Sequence, residues 1–133
     1  MKLLILLFTT SCVIKIGECD KPTDPVVHQE KAVQMARAFY HTPPDFPDPG
    51  IEWEPERCLD LHDGKCYSGY YVTGCNLIVA SNFSPTDVFW VLAHEMYHVH
   101  LFALTGDPDA FHKDPGFQPG GKVDQLRTIL EAL

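Results

Sequence analysis

Two histidines flank a glutamate in the stretch His94-Glu95-Met96-Tyr97-His98, at a spacing that suits metal binding. Residues four apart on an α-helix lie on one face, about one turn apart, so the imidazoles of His94 and His98 can bind the same metal ion. Glu95 would then lie beside the ion, where a carboxylate can accept a proton from water that the metal has acidified. The spacing therefore predicts a metal centre with hydrolytic chemistry, of the kind that cleaves peptide bonds.

The segment around this motif predicts a long buried helix. Ser84-Pro85-Thr86-Asp87 is typical of a helix start and Thr105-Gly106-Asp107-Pro108 of a helix end, so we expect a helix from about Pro85 to Thr105. Apolar residues occur on all its sides, which is typical of a helix in the middle of a domain: Val88, Phe89, Trp90, Val91, Leu92, Val99, Leu101, Phe102 and Leu104. Buried polar side chains need partners. A metal ion would satisfy the histidines, and ordinary hydrogen bonds within the core are the alternative.

A catalytic zinc site needs a third protein ligand and an open coordination position. His112 is the predicted third ligand. The helix advances about 12 Å between His98 and Gly106, and the segment 107–112 can span up to roughly 20 Å, so the chain can return to the metal. Glu131 and Asp109 are the alternative ligands, and an ordinary loop position for His112 is the remaining possibility.

Three further side chains are candidates for the surroundings of the metal. Asp107 and Asp109 lie in the loop before His112, where either carboxylate could accept the second ring proton of a ligating histidine. Tyr97 lies about 60° from His94 round the helix, near enough to border the site. Core packing is the alternative role for this tyrosine.

Length, composition and charge limit the possible functions. The chain has 133 residues, of which 45% are hydrophobic and 11% aromatic, enough for the core of one small domain. The net charge is −8 and no basic cluster occurs, so nucleic acid is not an expected partner. The hydrolytic motif predicts a peptide or protein substrate. Because no stretch of about 20 apolar residues follows the N-terminus, we expect membrane contact only through a signal sequence or lipid anchor. We also expect a monomer.

The N-terminus has the pattern of an export signal, with a positive charge at Lys2 and an apolar run through Phe8 before Cys12. Residues 1–19 are predicted to be a signal peptide, or a lipoprotein signal and tether, ahead of a single domain at 20–133. A lipoprotein would carry its lipid on Cys12. We therefore expect an exported protein that is secreted, periplasmic or lipid-anchored at the cell envelope.

Four cysteines follow Cys12, namely Cys19, Cys58, Cys66 and Cys75. In an oxidising compartment this even number predicts two disulfides, whose pairing the sequence leaves open. No Cys-x-x-Cys spacing occurs, which disfavours a thiolate metal site.

The remaining segments predict an α+β fold. Their periodicity and turn residues indicate two helices and three strands: a helix from Pro25 to about Tyr40, strands near 51–54, 67–72 and 75–80, and a C-terminal helix after Gly120-Gly121. A small antiparallel sheet would pack on the buried motif helix, with helices at both ends of the chain.

The motif and the loop that follows it, through Gly106-Asp107-Pro108-Asp109-Ala110-Phe111-His112-Lys113, resemble the zincin superfamily of HExxH metallopeptidases. The likeness is to small exported bacterial zincin-like proteins and covers roughly the C-terminal third. It implies a minimal zincin-like domain that hydrolyses peptides with Glu95 as general base and one zinc ion per chain, bound by His94, His98 and His112. It also implies that the strand 77–80, near the motif helix, offers a free edge to an extended substrate.

Zincin subfamilies differ in the residue that serves as third ligand. The metzincin pattern requires glycine three residues and histidine six residues after His98, and it is excluded because Leu101 and Leu104 occupy those positions. A gluzincin would have to use Glu131. Two alternative functions also remain, a non-catalytic zinc-stabilised binding domain and an extracellular binding domain held together by disulfides.

Overall fold

The computed structural model describes residues 5–8, 12–16, 27–59, 64–82 and 88–132, and the side chains among them from Glu30 onward. The helices within these residues are α1 (Val27–Tyr40), α2 (Val88–Thr105) and α3 (Lys122–Glu131), and a 3₁₀ turn (Pro115–Phe117) precedes α3. The strands are β1 (Ile5–Phe8), β2 (Cys12–Ile16), β3 (Gly50–Glu54), β4 (Gly69–Val72) and β5 (Leu77–Ser81). The predicted α+β class is confirmed.

The strands form one mixed sheet in the order β1-β2-β4-β5-β3. β4 and β5 are joined by a turn at 73–76 and pair antiparallel, with Tyr70 opposite Val79, whereas β3 pairs parallel with β5. The sequence had suggested a wholly antiparallel sheet, whereas the observed sheet is mixed. The difference arises because β5 inserts between β3 and β4, an order that strand periodicity does not reveal.

The strand order also changes the expected substrate edge. β5 pairs with β4 on one side and β3 on the other, and all 5 of its residues are buried. The prediction that the strand 77–80 has a free edge is therefore wrong. The outer edge of β4 pairs in parallel with β2, where Cys12 aligns with Gly69. The predicted export signal thus extends the sheet beyond β4, and its removal stays a prediction.

Helix α2 forms the centre of the core, as its apolar residues predict. Every residue from Val91 to Leu101 is buried, and the helix packs against β4, β5, α1 and α3. It ends where predicted, because Gly106 has a φ of +78° and its N–H donates to the Phe102 carbonyl. The predicted start at 84–87 lies outside the described residues. Although α2 is apolar, no helix in the described ranges is both long and apolar enough to cross a membrane.

The flanking helices cover α2 with one apolar face each. In α1 this face consists of Ala32, Val33, Ala36 and Tyr40. In α3 it consists of Val123, Leu126 and Leu130, whereas Ile129, which periodicity places on the same face, is 38% exposed. The helices therefore pack as predicted except at this edge of α3.

The proline-rich connection between α1 and β3 is irregular, and Arg37 orders it. The guanidinium pairs with the Asp48 carboxylate at 2.9 Å and donates to the carbonyls of Pro43 and Phe46 at 2.9 and 2.6 Å. These contacts hold the connection against the C-terminal end of α1.

The disulfide framework is partly defined. Cys58 and Cys66 are bonded to each other, which excludes the two pairings that would separate them. Cys75 is also disulfide-bonded. Cys19 lies outside the described residues.

Candidate metal centre

Helix α2 presents His94 and His98 on one face, as their spacing requires. The two residues are 6% and 0% exposed, and their ring centroids lie 5.1 Å apart. Trp90, one turn earlier, stacks on the His94 ring with a centroid distance of 5.1 Å. The core that surrounds α2 therefore fixes this half of the site.

The loop after α2 brings His112 to the same point. The Nε2 atom of His112 lies 3.1 Å from Nε2 of His94 and 3.0 Å from Nε2 of His98. The ligand atoms of all three residues lie within 4.8 Å of one another. Within the described part of the chain, these histidines form the one group with the donors and spacing to hold a metal ion.

The two alternative third ligands are engaged elsewhere. Glu131 is exposed, and its carboxylate lies 3.8 Å from the Arg127 guanidinium on the same helix. Asp109 accepts the backbone N–H of Lys113 with one carboxylate oxygen and that of Asp114 with the other. Neither residue belongs to the three-histidine group.

Hydrogen bonds among the rings do not satisfy all three histidines. Nδ1 of His98 lies 2.6 Å from the Pro108 carbonyl. A carbonyl can only accept, so His98 carries its proton on Nδ1 and has a lone pair on Nε2. One proton at Nε2 of His112 can serve only one of the two short contacts, to His94 or to His98. A cation accepts all three lone pairs, and tetrahedral zinc places its nitrogen ligands about 3.3–3.4 Å apart, close to the observed spacing.

Burial keeps the three imidazoles neutral. Desolvation lowers the pKa of His94 well below its usual value and lowers the pKa of His98 to about 3. Desolvation also lowers the pKa of His112, against the opposing charge of Asp109. Metal binding requires neutral imidazole, so all three rings are in the form that binds metal at neutral pH.

A backbone carbonyl, and not a carboxylate, accepts the second ring proton of His98. The carbonyl is that of Pro108, whereas the sequence had suggested Asp107 or Asp109 for this role. Asp107 accepts the N–H of Asp109, and Asp109 accepts two N–H groups near the end of the loop. The two aspartates therefore shape the loop. The carbonyl could not be identified from sequence, because its direction depends on the path of the backbone.

The backbone of the loop after α2 has a positive φ angle at each end of the short turn 109–112. Asp109 and His112 have positive φ angles of 60° and 55°, a region that L-residues other than glycine rarely occupy. The His112 N–H donates to the Asp109 carbonyl at 2.9 Å. Such residues persist only where their surroundings hold them, and they are frequent at functional sites.

Glu95 is 1% exposed and lies against the start of β4. A Cβ atom on Gly69 would lie 2.7 Å from Cγ1 of Val91 and 3.5 Å from Cγ of Glu95. Because Gly69 has no side chain, the strand can approach the helix this closely. The stem of Glu95 therefore lies between α2 and the first residue of β4.

Phe117, in the 3₁₀ turn, covers one side of the histidine group. Its ring centroid lies 4.6 Å from those of His98 and His112 and 5.1 Å from that of His94. Phe117 was not predicted from the sequence. The one available signal was an aromatic residue in a polar loop shortly after a predicted ligand.

Tyr97 and His100 belong to the packing behind the histidine group. Tyr97 is 3% exposed, and its hydroxyl donates to Oδ1 of Asp114 at 2.5 Å. Nδ1 of His100 lies 3.2 Å from the Thr42 hydroxyl. Tyr97, which the sequence had suggested as a neighbour of the metal site, therefore contacts the His112 loop through its hydroxyl group.

Comparison of the chain with protein-family models, with curated proteins and with solved structures gives no match. The zincin family therefore stays a prediction, and the geometry of the histidine group is the basis for a proposed function.

Proposed function

We propose that this protein is a zinc-dependent metallopeptidase of the zincin type. The observation that carries the proposal is the convergence of three neutral imidazoles, those of His94 and His98 on α2 and that of His112 on the following loop. Helix α2 also carries the buried Glu95. Three protein ligands leave one position of a tetrahedral ion open for water or substrate. The open position distinguishes a catalytic zinc site from a structural site, in which four protein ligands enclose the metal.

Zinc, one ion per chain, is the cofactor that the donors favour. Imidazole nitrogen suits zinc, copper, iron and nickel, and three histidines with an open position are a known catalytic zinc set. When bound, zinc lowers the pKa of water and polarises the scissile carbonyl. Zinc has no redox chemistry, which suits hydrolysis.

The protein side chains carry the proton transfers. Glu95 accepts a proton from the attacking water and passes it to the leaving amine. Because Glu95 is 1% exposed, little bulk water surrounds its carboxylate, which strengthens the electrostatic interactions of that group. The Pro108 carbonyl holds the proton of His98 on Nδ1, so that Nε2 keeps its lone pair for the metal.

The substrate is an extracytoplasmic peptide or protein, and the enzyme acts as an exported monomer. The export pattern at the N-terminus supports the location, and the net charge of −8 with no basic cluster argues against nucleic acid. The membrane would be contacted only through the signal or a lipid on Cys12.

A non-catalytic zinc-stabilised domain is the second candidate, and the position of Phe117 favours it. Its ring lies within 5.1 Å of all three imidazole centroids, so one side of the site is covered. A structural metal site is closed, whereas a catalytic one keeps an exchangeable position.

Hydrolysis of a peptide library by the zinc-loaded chain distinguishes the two candidates. Glu95→Gln is the matched variant, because it keeps the size of the side chain and leaves the three ligands in place. We expect unchanged zinc content and hydrolysis reduced by about 10²–10⁴-fold. Equal hydrolysis by both proteins would contradict the role of Glu95. A fully zinc-loaded wild type without hydrolysis would support the structural role.

A further inference from the structure

Asp114 connects the loop that carries His112 to helix α2. Its Oδ1 atom accepts hydrogen bonds from the Tyr97 hydroxyl at 2.5 Å and from the Gly116 N–H at 2.8 Å. Its own N–H donates to Oδ2 of Asp109 at 2.7 Å. A single residue thus joins the motif helix, the loop and the 3₁₀ turn.

A second connection holds the beginning of the same loop. His98 donates from Nδ1 to the Pro108 carbonyl at 2.6 Å. Tyr97 and His98 are neighbours on α2, so the helix holds the loop both before and after His112. The third ligand therefore lies between two fixed points.

The loop depends on such fixed points because its backbone is strained. Asp109 and His112 both have positive φ angles, which are disfavoured for L-residues. The loop also packs tightly on the helix, since a Cβ atom on Gly116 would overlap the Tyr97 ring. A loop released from α2 would relax toward ordinary φ values and carry the His112 imidazole away from the other ligands.

We infer that Asp114, acting through Tyr97, is a positioning residue for the metal centre. The hydrogen bond between them keeps Nε2 of His112 at the point on which His94 and His98 converge. The inference rests on the proposed metal site and does not require hydrolysis.

Tyr97→Phe is the main test, because it keeps the ring and removes only the hydroxyl. We expect the zinc dissociation constant, measured by competition with a chromophoric chelator, to rise about 10- to 100-fold, as is typical when an outer partner of a metal ligand is lost. The visible absorption spectrum of the cobalt(II)-substituted protein should also change, because the ligand geometry changes. A purely structural role for the hydroxyl would not alter this spectrum.

Tyr71→Phe is the matched control. The Tyr71 hydroxyl donates to Oδ1 of Asn76 at 2.6 Å, in the turn between β4 and β5 and outside the His112 loop. This variant should lose thermal stability in the zinc-free protein and keep the wild-type zinc affinity and cobalt spectrum.

Asp114→Ala removes the acceptor, and the double variant with Tyr97→Phe should bind zinc no more weakly than Asp114→Ala alone. Should Asp114→Ala fail to fold, Tyr97→Phe decides the question by itself. Unchanged zinc affinity in Tyr97→Phe, an equal loss in Tyr71→Phe, or additive losses in the double variant would each overturn the inference. A wild-type chain that binds no zinc overturns the metal centre and the inference together. Zinc binding without peptide hydrolysis overturns only the proposed peptidase.

Discussion

The metal centre has two halves that are built by different physical means. His94 and His98 lie on α2, where every residue from Val91 to Leu101 is buried, and helix geometry alone sets their relative position. His112 lies on a loop whose shape depends on a few polar contacts and on residues with positive φ. Packing therefore fixes one half of the site, whereas a small hydrogen-bond network fixes the other.

The two halves should therefore differ in local stability. Opening α2 exposes the centre of the core, which costs much of the global free energy of unfolding. Opening the loop breaks hydrogen bonds that contribute about 0.5–1.5 kcal/mol each. Strain at Asp109 and His112 lowers that cost further.

Replacing a metal-binding histidine with alanine is expected to have the largest effect on zinc affinity. The accompanying loss of unfolding free energy should differ between the two halves of the site. His98→Ala and His112→Ala should each weaken zinc binding by more than the roughly 100-fold that an outer partner contributes. In the zinc-free protein, His98→Ala should lose about 2–4 kcal/mol of unfolding free energy, because it empties a buried position and leaves the Pro108 carbonyl without its donor. His112→Ala should lose about 1 kcal/mol or less, since its ring is half-buried on a loop.

Chemical denaturation and zinc titration of the same samples measure both effects. Leu77→Ala is the control, because its side chain is buried in an apolar cluster with Val72 and Val79 that is separate from the core cluster around α2. This variant should lose stability and keep zinc. Equal stability losses in His98→Ala and His112→Ala would contradict the contrast between the two halves.

Hydrogen exchange should show the lower local stability of the His112 loop relative to α2, which is a smaller effect than the loss of a ligand. Without zinc, the amides of Lys113 and Asp114, which donate to Asp109, are expected to exchange within minutes, while the central amides of α2 stay protected. Zinc at 100 times its dissociation constant should slow the loop amides by about 100-fold, because it stabilises only the closed loop. Exchange can be followed by mass spectrometry. Loop amides that are as protected as those of α2 before zinc is added would contradict this account.

Local patterns made one half of the site predictable. The spacing of His94 and His98 determines their common face, and the apolar residues on every side of α2 indicate its burial. Gly106 and Pro108 indicate where the helix ends, as the φ of +78° at Gly106 bears out. These features follow from interactions between residues close in sequence.

Long-range geometry made the other half harder to predict. The reach of the chain indicated that His112 could return to the metal, but not which groups would hold it there. The roles of the Pro108 carbonyl and of Asp114 depend on positive φ angles at two residues that are not glycine. The sheet order could not be predicted for a similar reason. The position of β5 between β3 and β4 does not affect the alternation of apolar and polar residues along these strands.

X-ray absorption at the zinc edge, measured on the zinc-loaded wild-type chain, shows directly whether three histidines bind the metal ion. We expect about one zinc ion per chain with three imidazole nitrogens at about 2.0–2.1 Å and one further light ligand. The His112→Ala variant, if it retains zinc, should show one imidazole fewer. Sulfur ligands, four imidazoles, or a wild-type chain that binds no zinc would rule out the three-histidine metal centre.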